Sequence, residues 1–188
     1  MFKLILQSAR QLIVWTVITG LVYPVLVTVI AQLAFRERAN GSLIVKGDTI
    51  VGSELLGQQF TGTNYFWSRP SACSYTTLPS GASNLGPTSG QLQTNVLNNL
   101  AALRAAHNLS TNAPVPADLL FASGSGVDPH ISPEAARFQI ARVAASRNLP
   151  VARLAALVEE FVEPPQYGFL GEARVNVLKL NLALDALK

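Results

Sequence analysis

Residues 11–35 read QLIVWTVITGLVYPVLVTVIAQLAF, a run of 25 residues that carries no charge and is flanked by Arg10 and Arg36. As a helix rising about 1.5 Å per residue, this run would be roughly 37 Å long, enough to cross a hydrocarbon core about 30 Å thick. It is longer than the apolar core of a cleavable signal peptide, and its end, residues 31–35, makes a poor cleavage site. We therefore predict an uncleaved transmembrane anchor at residues 11–35.

Polar and helix-breaking residues inside the anchor suggest contact with other helices. Pro24 removes a backbone hydrogen bond in mid-span, which predicts a kink. Small or polar residues are enriched where membrane helices touch, although a lone anchor also contains a few of them. Those present here are Thr16, Thr19, Gly20 and Thr28.

The charges on the two sides of the anchor differ little. Lys3, Arg10 and the terminal amine precede it, and Arg36 and Arg38 follow it. The positive-inside rule then gives a slight preference for a cytoplasmic tail at residues 1–10 and an extracytoplasmic domain at residues 36–188.

Composition excludes several function classes. Only 13% of the residues are charged and 49% are hydrophobic, whereas a soluble domain is about 25% charged. Such a chain is not intrinsically disordered, and scattered basic residues with a net charge of +3 do not make a nucleic-acid surface. A single cysteine excludes an internal disulfide, and two histidines do not favour a zinc site, so we predict no metal.

The part after the anchor is predicted to be one mixed α/β (α+β) domain with a small sheet and about three to four helices. Turn signals, helix caps and apolar periodicity supply the individual elements. They are a hairpin at 42–51, a long ordered loop at 71–90, helices at 91–108, 132–148 and from 148 to the Pro164-Pro165 pair, a strand at 174–178 and a short helix at 180–187.

Residues 122–133, ASGSGVDPHISP, are the densest group of chemically distinctive residues. Two glycines followed by a helix start could approach a phosphate closely. The Lys-Ser/Thr of a P-loop is absent, however, and a tight connection capped by Ser132 explains the same residues. A third possibility is a hydrolase that uses Ser123 and His130 with Asp128, although no G-x-S-x-G motif is present.

Several co-linear motifs resemble one known family, the C subunit of the bacterial potassium-transporting ATPase (KdpC). They are TGLVYP at 19–24, ANGSLI at 39–44, VGSELLGQQF at 51–60, YFWSRPSA at 65–72, SNLG at 83–86, the segment 122–133, and RVNVL at 174–178. The resemblance therefore runs through nearly the whole chain.

The resemblance implies a non-catalytic subunit of a high-affinity, ATP-driven potassium importer in the bacterial inner membrane. Its implied partners are a channel-like potassium-binding subunit, a P-type ATPase subunit and a very small fourth subunit. The implied topology is a cytoplasmic amino terminus and a periplasmic domain. The subunit would have no cofactor of its own, while the complex would use ATP.

Particular residues acquire expected roles from the same resemblance. Tyr23, Pro24, Arg69 and Asn84 are expected at interfaces with partner subunits. A catalytic-chaperone role, in which the subunit raises the ATP affinity of the ATPase subunit, would involve Ser123, Gly124, Ser125, Gly126 and Gln139. The low charge outside the anchor, about 15% of those residues, also agrees with a domain covered by partners, because interface cores are depleted in charge.

Overall fold

A computed structural model describes residues 1–187 and divides into two compact units. The first unit is Met1–Leu43, and the second begins at Ile44 and contains the rest of the described chain. The observed architecture is the predicted one, an amino-terminal apolar helix followed by a mixed helix-and-sheet domain.

The first unit is dominated by one helix of 33 residues, Phe2–Ala34. It consists of α1 (Phe2–Val17), a π-helical turn (Ile18–Val22) and α2 (Tyr23–Ala34), and a short helix α3 (Arg36–Ala39) follows. The long helix is apolar enough to cross a membrane, and none of its residues is buried inside the protein. It begins nine residues before the predicted anchor because nothing in residues 2–10 breaks a helix.

The backbone around Pro24 departs from α-helical geometry. Pro24 has no N–H to donate, and the π-helical turn at Ile18–Val22 directly precedes the helix that contains it. The hydroxyls of Thr19 and Thr28 donate to carbonyl oxygens one turn earlier, each at 2.7 Å. These polar side chains are thus satisfied within their own helix.

Nine helices and strands lie within the described part of the second unit or extend into it. A hairpin comes first, a long segment without helix or strand follows, and helices and short strands then alternate. The elements are β1 (Leu43–Lys46), β2 (Thr49–Ser53), α4 (Gly90–His107), β3 (His130–Ile131), α5 (Pro133–Arg147), α6 (Val151–Glu160), β4 (Val162–Glu163), β5 (Arg174–Asn176) and α7 (Val177–Ala186). A 3₁₀ turn at Ala117–Leu119 lies between α4 and β3.

Two small antiparallel sheets account for the strands. Strands β1 and β2 form one of them, which confirms the predicted hairpin. The other has the order β3-β5-β4, with His130 opposite Asn176 and Glu163 opposite Arg174. The central strand β5 pairs on one side with β3, which precedes α5, and on the other side with β4, which follows α6.

The core is formed where α5 packs against α6, with α4, α7 and β5 around them. Small residues in α5 permit close helix approach, and larger aliphatic side chains fill the remaining space. Buried members include Ala135, Ala136, Val143, Leu154, Val158, Val175, Leu180 and Leu184, together with Phe66 from residues 54–89, the irregular segment between β2 and α4.

The predicted helix ends at Ser132 and Asn148 are confirmed. The Ser132 hydroxyl accepts a hydrogen bond from the Ala135 N–H at 3.1 Å, and Asn148 ends α5 in the left-handed conformation. Helix α4 has the same arrangement, with Ser89 and Asn108 at its two ends.

Three predicted boundaries were wrong: the end of α6, the end of β5 and the start of α7, which was expected at residue 180. Helix α6 ends at Glu160, and Val162 belongs to a strand that exists because it pairs with Val175. The predicted strand at 174–178 ends at Asn176, whose side chain accepts from the Lys179 N–H and begins α7 at Val177.

Candidate functional site

A charged cleft of about 530 Å³ lies beside strands β3 and β5 and Ser132, the residue that caps α5. Three different parts of the chain bring their side chains to it: the irregular segment before α4, the loop before β3, and the connection into β5. Its ionisable lining residues are Arg69, Asp118, Asp128, His130, Glu172 and Arg174.

Ion pairs and close contacts connect five side chains in and beside this cleft. Arg69 Nη1 lies 3.2 Å from Asp128 Oδ2, and Asp128 Oδ1 lies 3.6 Å from His130 Nδ1. His130 Nε2 is 4.0 Å from Glu163 Oε2, to which Arg174 Nε donates at 3.0 Å. The series joins residues that are far apart in the chain, so it ties the irregular segment to the three-stranded sheet.

Asp128 is the central anion of this series. Burial raises the pKa of its carboxyl, but hydrogen bonds from His130 and the charge of Arg69 outweigh burial and leave the pKa below its ordinary value. Its Oδ1 also accepts from the His130 N–H at 3.0 Å, which fixes the Asp-Pro turn. A carboxylate held ionised in this way suits an electrostatic contact better than proton transfer near neutral pH.

The glycine-serine loop at 123–126 packs against the irregular segment. Ser123 is 3% exposed, and its N–H donates to the Pro70 carbonyl at 3.0 Å. The Ser71 hydroxyl donates to the Gly126 carbonyl at 2.6 Å. Gly126 has φ +74°, and a Cβ there would collide with Cys73 Sγ and the Gly81 backbone, whereas Gly124 faces open space.

Gln139 lies on the buried face of α5, with no exposed surface. Its Oε1 accepts from the Trp67 N–H and from Arg142 Nη2, both at 2.7 Å. Its Nε2 donates to the carbonyls of Trp67 at 3.1 Å and Ala135 at 3.3 Å. The amide is therefore fully used inside the domain, and the nucleotide-related role of Gln139 and residues 123–126 stays a prediction.

Arg142 and His107 form a polar cluster that the sequence did not reveal. Arg142 donates from Nε to His107 Nε2 at 3.0 Å, from Nη1 to the Thr63 carbonyl and from Nη2 to Gln139. Its guanidinium also lies 4.2 Å from the centre of the Trp67 ring. The only sequence signal was the three-residue spacing of Gln139 and Arg142, which places both on one face of α5.

This cluster keeps His107 neutral. Burial, and secondly the charge of Arg142, lower the pKa of His107 to about 4. Burial also lowers the pKa of Arg142 to about 10, which leaves it charged at neutral pH. A neutral imidazole can therefore accept the hydrogen bond from Arg142.

The residues of the hydrolase alternative occupy different surroundings. The ring nitrogens of His130 face Asp128 and Glu163, as described above. Within residues 1–187 no hydrogen bond joins Ser123 to His130, and no group of three or more His, Cys, Asp or Glu residues is arranged to hold a metal ion.

The predicted interface residues lie in separate places. Tyr23 and Pro24 are exposed on the long helix, and Asn84 is exposed in the loop at 71–90 with φ +52°. Arg69 is partly buried in the cleft. Their roles at partner interfaces stay predictions.

These features define a class of protein: one helix able to cross a membrane, followed by a mixed α/β domain whose buried polar side chains bind its own backbone. Comparison with known families gives a more specific result. The family model described as "K+-transporting ATPase, c chain" (KdpC) matches residues 5–186.

Individual relatives agree with the family match, and each is described as a potassium-transporting ATPase KdpC subunit. The relative from Methylococcus capsulatus is 56% identical over 181 residues, which cover 95% of both chains. The relative from Serratia proteamaculans is 50% identical over 184 residues, covering 96% of this chain and 97% of its own. The relative from Rhodospirillum rubrum is 54% identical over 90% of this chain and 89% of its own. The chain belongs to the KdpC family.

Proposed function

We propose that this chain is a non-catalytic accessory subunit of an ATP-driven potassium import complex, and that it assembles and stabilises that complex. Membership of the family of K+-transporting ATPase c chains is the observation that carries the proposal. Gln139 and Arg142 are used in hydrogen bonds within the domain, which supports a structural rather than a catalytic role for them.

The partners in this proposal are the channel-like potassium-binding subunit, the P-type ATPase subunit and the small fourth subunit. The long helix would lie in the inner membrane with its amino terminus in the cytoplasm and the domain in the periplasm. Tyr23 and Pro24, which are exposed, would then contact partner helices. This agrees with the finding that no residue of the long helix is buried inside the protein.

ATP enters the proposal through the complex rather than through a cofactor of this chain. The chain would raise the ATP affinity of the ATPase subunit by stabilising the active, assembled form of the complex. Direct contact between Gln139 and a nucleotide would require the amide to release Trp67 and Arg142, at a cost of several buried hydrogen bonds.

Co-isolation tests this function. A tagged chain, expressed with the whole complex and purified in mild detergent, is expected to co-purify with a P-type ATPase and a channel-like protein. The purified complex is expected to show potassium-dependent ATP hydrolysis. The chain purified alone is expected to hydrolyse neither ATP nor a model ester. A chain that is isolated by itself and hydrolyses the ester would replace this proposal with the anchored hydrolase.

The orientation is tested with a membrane-impermeant maleimide. Cysteine in place of Leu78, which is 91% exposed, is placed in a Cys73→Ser background, and cysteine in place of Ser8 serves as the matched probe on the other side of the span. Spheroplasts should label at position 78 and not at position 8. Labelling at position 8 alone would reverse the proposed topology.

A further inference from the structure

The connection between β4 and β5, residues 164–173, is itself folded into a tight turn. Gln166 and Leu170 exchange two backbone hydrogen bonds, each 2.9 Å long, and the Gly168 N–H donates to the Pro165 carbonyl at 2.9 Å. Tyr167 and Gly168 have φ values of +56° and +82°. We call residues 165–171 the aromatic hairpin.

The base of the aromatic hairpin is fixed to the sheet. Glu163 in β4 is opposite Arg174 in β5, and Arg174 Nε donates to Glu163 Oε2 at 3.0 Å. The strands on both sides of the connection are therefore joined by backbone pairing and an ion pair. The conformation of the hairpin is set before any partner binds, which lowers the entropy lost on binding.

Large apolar side chains project from this preformed turn into solvent. Tyr167 is 80% exposed and Phe169 is 77% exposed, and Leu170 next to them is half-exposed. A turn could be built from small polar residues, so the hairpin's own folding does not explain two exposed aromatic rings. Tyrosine and other aromatic side chains presented on a rigid support are typical anchors of protein interfaces.

The surroundings of the hairpin are acidic, although the chain as a whole has a net charge of +3. Residues 159–174 contain four glutamates and one arginine. Glu159 is paired with Arg137 and Glu163 with Arg174, whereas Glu160 and Glu172 are exposed and form no ion pair within the described residues. This charge complements a basic surface and is repelled by anionic lipid headgroups.

We propose that the aromatic hairpin docks on another protein subunit of the same complex, in an apolar groove bordered by lysine or arginine. The proposal rests on the proposed function. Tyr167 and Phe169 fill the groove, and Glu160 and Glu172 face its basic border. The acidic surroundings favour a protein partner over the membrane surface.

Site-specific crosslinking in the assembled complex tests the hairpin separately from the anchor. p-Benzoylphenylalanine in place of Phe169 is expected to crosslink to another subunit, and the same residue in place of Val151, an exposed position on α6, should crosslink at least tenfold less. Equal crosslinking at both positions, or none at Phe169 in an intact complex, would overturn the hairpin proposal.

Substitutions add a second test in the same complex. Tyr167→Ser with Phe169→Ser should lower the yield of complex at high detergent at least tenfold, and Glu160→Lys with Glu172→Lys should lower it at low salt. Val151→Ser is the matched control, and unchanged thermal unfolding of each purified variant shows that the domain still folds.

The outcomes separate the two proposals. Wild-type co-isolation with unaffected hairpin variants overturns the docking surface and leaves the proposed function standing. Failure of the wild-type chain to co-isolate with any subunit overturns both. Crosslinking of p-benzoylphenylalanine at position 169 to lipid rather than to a subunit, in the intact complex, would assign the hairpin to the membrane and overturn the protein partner.

Discussion

The side-chain amide of Asn181 pairs with the backbone of Phe66. Asn181 Oδ1 accepts from the Phe66 N–H and Nδ2 donates to the Phe66 carbonyl, each at 2.9 Å. Gln139 does the same for the next residue, Trp67. Side chains from α7 and α5 thus supply the hydrogen bonds of extended backbone that belongs to no sheet. The irregular segment can therefore cross the core without unpaired peptide groups.

Asn181→Ala should therefore destabilise the protein strongly. The substitution leaves a buried N–H and a buried carbonyl of Phe66 without partners, and we expect the free energy of unfolding to fall by about 2–5 kcal/mol. Asn98→Ala on the exposed face of α4 is the control and should change it by less than about 0.5 kcal/mol. Denaturant unfolding of the full chain in detergent measures both, and equal effects would contradict the role of Asn181.

Gly126→Ala and Gly124→Ala should differ although the residues are two positions apart. Gly126 has a left-handed φ, and its added Cβ would meet Cys73 and Gly81, so we expect a loss of about 1–3 kcal/mol. Gly124 has open space around it and should tolerate alanine. Thermal unfolding of the two variants is the measurement. A larger loss at Gly124 would mean that the loop is not held by packing against residues 73–81.

His107 should make stability depend on pH in a defined window. Its pKa is lowered to about 4, first by burial and then by Arg142, from an ordinary value of 6.5. As the pH falls, the unfolded chain therefore binds a proton on this ring at a higher pH than the folded chain does. The stabilisation that neutral His107 contributes is complete above about pH 6.5 and is lost as the pH falls towards 4. We expect a loss of about 1–2 kcal/mol, since solvent screens a half-exposed ring.

His107→Gln supplies the comparison for this pH dependence. Glutamine can accept the hydrogen bond from Arg142 through its oxygen but cannot gain a proton. The difference in unfolding free energy between the wild type and this variant should change between pH 6.5 and 4. A constant difference over that range would show that His107 does not titrate as described.

Arg69→Gln should affect assembly rather than turnover. The substitution removes the charge beside Asp128 and the ion pair that ties the irregular segment to the cleft. We expect less assembled complex, with ATP turnover per complex unchanged. Arg137→Gln, which breaks an exposed ion pair with Glu159, is the matched control and should leave the yield near that of the wild type. A normal yield with selective loss of turnover would contradict this account.

Features encoded by neighbouring residues were predictable from the sequence. Ser132 and Asn148 fix the two ends of α5 through their own caps, and Gly47, with φ +64°, turns the first hairpin. Strand β4 was not predictable, because Val162 becomes a strand only by pairing with distant Val175. Sequence motifs gave Arg69 as a partner-interface residue; it lies in the cleft, and its role at an interface stays a prediction.

The candidate site was hard to predict chiefly because its side chains form hydrogen bonds with residues far away in the sequence. A glutamine in a helix does not reveal whether it faces solvent, a nucleotide or a buried peptide group. Gln139 accepts from Trp67, 72 residues away, and that contact depends on how α5 packs. The aromatic hairpin was not predictable, because within residues 165–171 only Gln166 and Leu170 pair and no alternating strand pattern marks the turn.

The central claim, a non-catalytic subunit required for the complex, is tested most directly by adding the chain back. Cells or purified subunits lacking this chain are supplied with the wild type or with the Ser123→Ala, His130→Asn double variant, and potassium-dependent ATP hydrolysis is measured per assembled complex. The account predicts loss of activity without the chain and restoration by both forms. Normal assembly with the double variant but no restored hydrolysis would contradict it.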